Sequence, residues 1–258
     1  MKRYAIGHCL GGAPLIEGGR RFAFEGARMT EDEIAAHARG TLTPAQIAAH
    51  PERATLDALR ASPLYAPLCA TFVATEGNLL ELTEDDTALQ QIATIRWALM
   101  AHGPLFEMGA PIAVAEVGFH KGFFALTLRH LTDAIVHVYA CDLKPESARA
   151  AELLNAADLG MAVAFTPGDS WLVWGGVLER IGRSADIAWI DGGHEAETLA
   201  HDLSMAMEYG ARLILVDDAA WLSGLAAVIQ DCANVYGYTR VTPPTPQDRR
   251  GIAVLVRA

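Results

Sequence analysis

Two periods alternate along the second half of this chain. From Ile112 onward, short apolar and β-branched runs are followed by stretches whose apolar positions recur at helical spacing. The runs Ile112–Val117, Val136–Cys141, Ala162–Thr166, Asp186–Ile190 and Arg212–Val216 predict strands. Helices fit between them at Phe123–Leu131, Pro145–Leu159, Trp171–Ile181 and Glu195–Tyr209. Such alternation predicts a parallel sheet with helices on both faces. A further helix over Leu222–Tyr236 leads to a strand at Tyr238–Val241, and the loop TPPTPQDRR precedes a last strand at Ile252–Val256. No helix fits between those two strands, so they are expected to pair as an antiparallel hairpin. The expected fold is α/β: a doubly wound, mostly parallel, seven-stranded sheet closed by that hairpin.

Residues 1–103 follow a different pattern and predict a mainly helical N-terminal cap, with the sheet domain over 104–258. Thr30, followed by Glu31, Asp32 and Glu33, reads as a helix N-cap with an acidic first turn, and Gly40 as its stop. Another helix begins at Thr43 with Pro44 in its first turn, and Pro51–Ala61 continues helical until Pro63 and Pro67 break it. Thr83 caps a longer helix, DDTALQQIATIRWALMAHG, with Leu89, Ile92, Ile95, Trp97 and Leu99 as its apolar face and Gly103 as terminator. Near the start, Arg21–Glu25 alternates as one strand of a hairpin would.

Composition narrows the partners. A formal net charge of -11 argues against a phosphate-backbone partner, because nucleic-acid affinity rests on clustered Lys and Arg. Small molecules are the expected ligands. Hydrophobic residues at 52% and charged residues at 20% fit a well-buried globule. No run reaches the roughly 18 apolar residues of a membrane span, and the first residues lack a signal-peptide core, so no membrane and a cytoplasmic location are expected. Cys9, Cys69, Cys141 and Cys232 are scattered without metal-binding or redox spacing and read as reduced thiols.

In a doubly wound sheet the ligand lies across the carboxyl ends of the strands. After the first predicted strand, Glu116 and Gly118 precede Gly122 and a helix, a glycine turn that offers backbone N–H groups to a polar ligand. Its spacing, E-x-G-x-x-x-G, differs from the dinucleotide fingerprint G-x-G-x-x-G. Asp142, after the second strand, stands where a carboxylate accepts hydrogen bonds from ribose hydroxyls. Gly168, Asp169 and Ser170 follow the third strand and suit an adenine edge. Asp191 follows the fourth, and Asp217 with Asp218 the fifth. Carboxylates on neighbouring strand ends repel one another unless a cation or protons intervene, and an all-oxygen set suits Mg²⁺, with Mn²⁺ and Ca²⁺ as alternatives.

The ordered set AEVGFHKG, YACDLKP, PGDS, WIDGGH and LILVDD resembles the class I S-adenosylmethionine-dependent methyltransferases over roughly Ile112 to Ala258. Within them, IDGGHEAETLAHDL followed by VDD is most similar to metal-dependent O-methyltransferases acting on sugars of natural products. The resemblance implies an enzyme that methylates a small hydroxylated acceptor, with S-adenosylmethionine and a divalent cation, Mg²⁺ first, as cofactors. It implies that Glu116, Gly118 and Gly122 line the methionine end of the cofactor, Asp142 its ribose, and Asp169 with Ser170 its adenine. Asp191, Asp217 and Asp218 would hold the metal, with Asp191 and His194 catalytic and His194 as general base. Self-association through the helix around Trp97 is a further expectation.

Other readings stand beside these. Asp191, Asp217 and Asp218 also serve as helix caps or direct substrate contacts in a metal-free transferase acting on nitrogen or carbon. His194 could cap the helix that follows it. The pair His201-Asp202, inside a predicted helix, reads as exposed or satisfied. A nicotinamide-dependent oxidoreductase would need G-x-G-x-x-G and a Tyr-x-x-x-Lys, and neither is present. A non-catalytic cofactor-binding scaffold shares the fold.

Overall fold

The computed structural model describes residues 15–16, 20–21, 42–71, 85–103, 106, 110–193, 195–219, 224–244 and 251–257. Its centre is the strand β3, Ile112–Val117, in which all six residues are buried. That is the environment a β-branched run without polar alternation requires. On one side β3 pairs in parallel with β4 (Val136–Asp142), and β4 with β5 (Met161–Pro167). On the other side it pairs in parallel with β6 (Ile187–Ile190), which pairs with β7 (Leu213–Val216). The strand β9 (Ala253–Arg257) lies antiparallel between β7 and β8 (Tyr238–Val241). The order is therefore β5-β4-β3-β6-β7-β9-β8, seven strands with the closing hairpin in place. A separate two-stranded pair joins β1 (Leu15–Ile16) to β2 (Arg20–Arg21). Of the strand expected at 21–25, only Arg21 falls within the described residues.

Helices fill both faces. On one, α7 (Ser170–Arg180), α8 (Ala196–Glu208) and α9 (Leu225–Tyr236) cover Ala115, Val117, Ala188, Ile190, Ile214 and Val216. On the other, α5 (Phe123–Leu131) and α6 (Ser147–Ala156) cover Val114, Val138, Ile187 and Leu215. The N-terminal helices α1 (Pro44–Ala48), α2 (Arg53–Ala61), α3 (Tyr65–Cys69) and α4 (Asp85–His102) join this second layer. Leu56, Leu59, Leu68, Leu89 and Ile92 belong to the same apolar cluster as the sheet residues. No described helix is long and apolar enough to cross a membrane.

Local chemistry explains the helix ends. Thr43 accepts from the Gln46 N–H while Gln46 returns a bond to the Thr43 N–H, a reciprocal capping box. Pro67, expected to break the chain, sits instead in the first turn of α3, where an N–H has no helical acceptor to lose. The helices expected to start at Pro145 and Trp171 begin at Ser147 and Ser170. The helix expected between Thr30 and Gly40, and the Thr83 cap, lie outside the described residues. Helix α4 is buried on more than the expected face, Gln90 and Thr94 included, because it is covered from both sides. Arg53 and Arg60 both pair with Asp85 at its N-terminus, and Arg96 reaches Glu52 at 2.6 Å and Thr55 at 3.0 Å. Trp97 is half-buried against the core and meets His102 edge-on, while Met100 is exposed.

At the amino ends of the strands, the buried Asp186 carboxylate accepts the Ala113 N–H at 2.9 Å and bonds Arg183 at 2.7 Å and Arg212 at 3.2 Å. Asp186→Ala strands the Ala113 donor and two half-exposed guanidiniums, and is expected to cost about 3 kcal/mol. Urea denaturation checks this; a loss below about 0.5 kcal/mol, typical of a surface substitution, contradicts it.

Candidate active site

The carboxyl ends of β3 to β7 open into a cleft of 440 Å³ lined by Gly118, Asp142, Asp169, Ser170, Asp191, Asp217 and Asp218 among others. Its floor is the turn after β3. Gly118 adopts φ +81, and a Cβ there would lie 1.9 Å from the Asp191 carbonyl oxygen. The N–H groups of Gly118 and Phe119 donate to the Cys141 carbonyl at 3.0 and 3.3 Å, which ties the turn to the end of β4. His120, at φ 45, then turns its N–H onto the Asp142 Oδ2 at 2.6 Å. The Lys144 N–H reaches Oδ1 at 2.8 Å. The Asp142 carboxylate is thus aimed by two backbone donors and keeps acceptor capacity for hydroxyls in the cleft. The cradle at Gly118 and the aimed carboxylate fit a nucleoside ligand.

Two expected ligand residues have other duties. Gly122 does not line the cleft; at φ +70 it begins α5, and a Cβ would press on Leu154 and Phe119 at 2.7 and 2.9 Å. Its glycine is needed for packing and the positive φ. Asp169 lines the cleft while also capping α7, accepting the Trp171 N–H at 3.1 Å. Glu116 is buried, and with Gly118, Asp191 and Asp217 it lines a smaller cavity of 40 Å³ walled by Phe123, Phe124 and Trp189.

The acidic end differs from expectation. Asp191 and Asp217 follow neighbouring strands, their N–H groups bonded to the Val117 and Ile190 carbonyls at 3.0 Å each. Asp218 is buried at φ 54. Among the described residues, however, no three His, Cys, Asp or Glu side chains come together as a metal site. Asp217 instead accepts from the Gln91 amide, Nε2 lying 3.1 Å from Oδ1 and 3.2 Å from Oδ2. His194 lies outside the described residues.

Sequence reasoning missed three residues here. Thr87 and Gln91, one turn apart on α4, line the cleft from the N-terminal segment. Polar positions on an apolar helix were their signal. Asp202, read as exposed or satisfied, is fully buried on α8, where its Oδ2 would lie 3.2 Å from a Cβ on Gly192. It stands three residues after Leu199 and four before Ala206, on the buried stripe. His201 stacks on Trp171 with centroids 4.1 Å apart.

Burial pushes the Asp202 carboxyl up to about 7; the Ser170 hydroxyl works against this and the Asp169 charge adds to it. Burial likewise pushes the His201 imidazole down, favouring its neutral form. The Cys141 thiol is held well above the usual range by burial, which favours its protonated form. Because the folded-state value of Asp202 lies above the ordinary 3.8, the native state holds a proton the unfolded chain has released. This group therefore removes stability as pH rises from about 4 to about 7, on the order of 4 kcal/mol at full ionisation. Asp202→Asn is expected to gain melting temperature relative to the parent across that window and to hold a constant difference above it. Thermal melts from pH 4 to 8.5 check this, and a difference independent of pH contradicts it.

Residues 115–219 match the family profile described as a methyltransferase domain. No curated protein matches the chain significantly in sequence. Solved structures do match it in shape. One from Klebsiella pneumoniae, provisionally described as an O-methyltransferase, has TM-score 0.53 at 15% identity over 80% of this chain and 97% of its own. The Bacillus cereus O-methyltransferase in complex with SAH has TM-score 0.51 at 14% identity, over 80% of this chain and 92% of its own. A cofactor-bound protein from MTB has TM-score 0.51 at 17% identity, over 80% and 96%. At such identities the likeness establishes the fold. Strand order and glycine turn agree with this likeness: the chain has the Rossmann-like methyltransferase fold, and its residues 115–219 are similar to a methyltransferase domain.

Proposed function

We propose that the protein methylates an oxygen of a small hydroxylated acceptor. The observation that carries this reading is the Asp142 carboxylate, fixed by the His120 and Lys144 N–H groups beside the Gly118 turn, in one cleft with Asp191, Asp217 and Asp218. When bound, S-adenosylmethionine supplies an electrophilic methyl group on a sulfonium. Asp142 accepts the ribose hydroxyls, Asp169 and Ser170 meet the adenine, and Glu116 serves the methionine end. The acceptor enters over the ends of β6 and β7, where a hydroxyl can donate to a carboxylate and be oriented for in-line attack. Its proton passes to His194, the residue the resemblance nominates, three positions after Asp191. The O-methyltransferase description of the Bacillus cereus neighbour favours oxygen over nitrogen or carbon.

The resemblance also implies a divalent cation held by Asp191, Asp217 and Asp218. The described residues do not fit one: no three ligands come together as a metal site, and the Gln91 amide covers Asp217.

Isothermal titration with S-adenosylmethionine tests the cofactor assignment. Asp142→Ala is expected to weaken binding about tenfold or more, from losing charge-assisted hydrogen bonds of about 1.5–3 kcal/mol. No binding to the parent protein at about 1 mM cofactor contradicts the reading. Incubation with methyl-labelled cofactor and a panel of phenols, sugars and amines tests the acceptor: label on oxygen is expected, and label on nitrogen or carbon alone overturns it.

A further inference from the structure

The helix α4 brings an amide to a carboxylate 126 residues further along the chain. Gln91 Nε2 is nearly equidistant from both oxygens of Asp217, at 3.1 and 3.2 Å, so the amide straddles the carboxylate. An ionised carboxylate only accepts, which fixes the NH₂ end toward it; an amide oxygen turned there would face another oxygen with no proton between them. Asp217 is 8% exposed, so this contact forms largely out of water, where one donor excludes another ligand from the same place. A Mg²⁺ ion would need oxygen ligands at about 2.0–2.1 Å and would have to displace the amide from the carboxylate face it covers.

The helix that delivers Gln91 is held firmly. Asp85 at its N-terminus pairs with Arg53 and Arg60 of α2, and Arg96, five residues beyond Gln91, pairs with Glu52. Ile92 and Ile95, beside Gln91, are buried in the core shared with the sheet, and Leu89 lies fully inside it. The backbone from which the Gln91 amide projects is therefore fixed over the strand ends.

We propose that Gln91 is the positioning residue of Asp217 and occupies the place of the cation, so that these strand-end carboxylates work without one. Gln91 orients Asp217 toward the acceptor. The inference takes from the proposed function only that the ends of β6 and β7 are the reacting end. It concerns a ligand the protein excludes, and is tested independently of the cofactor.

The test is Mn²⁺ titration, followed by electron paramagnetic resonance, on the protein with no nucleoside added. The parent is expected to show no site tighter than about 1 mM. Gln91→Glu, which replaces the donor with a further carboxylate, is expected to acquire a site at least about tenfold tighter, and Gln91→Glu with Asp217→Asn to lose it again. Melting curves of each variant report folding. Where Gln91→Glu does not fold, Gln91→Ala, which uncovers Asp217 without adding charge, replaces it and is also expected to gain Mn²⁺. Stoichiometric Mn²⁺ binding by the parent that Asp217→Asn abolishes overturns the proposal. So does a folded Gln91 variant that gains no site. S-adenosylmethionine binding, titrated separately, reports on the methyl-transfer reading without bearing on the Mn²⁺ result.

Discussion

A single methyl group on Gly118 would sit 1.9 Å from the Asp191 carbonyl oxygen, and the site depends on that close approach. It brings the turn after β3 against the end of β6, so the floor of the cleft and its acidic end are built from touching backbone. The same turn hands its N–H groups to the Cys141 carbonyl, and the residue after Phe119 hands its own to Asp142. Three strand ends are thereby fixed relative to one another by backbone alone. Side chains then need only project into a space whose shape is already set, which is the preorganisation that the proposed methyl transfer between two bound partners demands.

The N-terminal helices belong to this construction. Their leucines share a core with the sheet, and α4 reaches over the strand ends with Thr87 and Gln91. Ion pairs at the N-terminus of α4 and at Arg96 tie it to the segment around α2, and the Gln91–Asp217 bond joins it to the end of β7. On the far side, α8 places Asp202 under the loop after β6, a neutral acid at low pH and a buried charge above about 7. The cleft therefore has a polar roof from one layer of helices and a titrating group beneath it from the other.

Much of the sheet was legible in the sequence. The stretches Ile112–Val117, Phe123–Leu131 and Tyr238–Val241 appear with the bounds their patterns predict: the first is an apolar run buried on both faces, the second keeps helical spacing, and the third is set by the Gly237 turn before it. The place of Asp142 at the carboxyl end of β4 was legible too, since it follows from the strand itself. Helix ends were less so, because capping at Thr43 and Asp169 depends on side chains rather than periodicity. The glycine turn at Gly122 was legible, but the packing of Leu154 and Phe119 against it was not. Asp202 was missed because a helix with small and apolar residues on several sides hides which stripe faces inward. Gln91 could not be read at all as the partner of Asp217, because nothing local marks a contact across 126 residues.

The measurement that bears most directly on this account is a crystal structure of the protein with S-adenosylhomocysteine bound. The account predicts the ribose hydroxyls on the Asp142 carboxylate, the nucleoside resting against the Gly118 turn, and the Gln91 amide still on Asp217. A nucleoside bound away from Asp142, or a cation between Asp191 and Asp217 with Gln91 displaced, would contradict it.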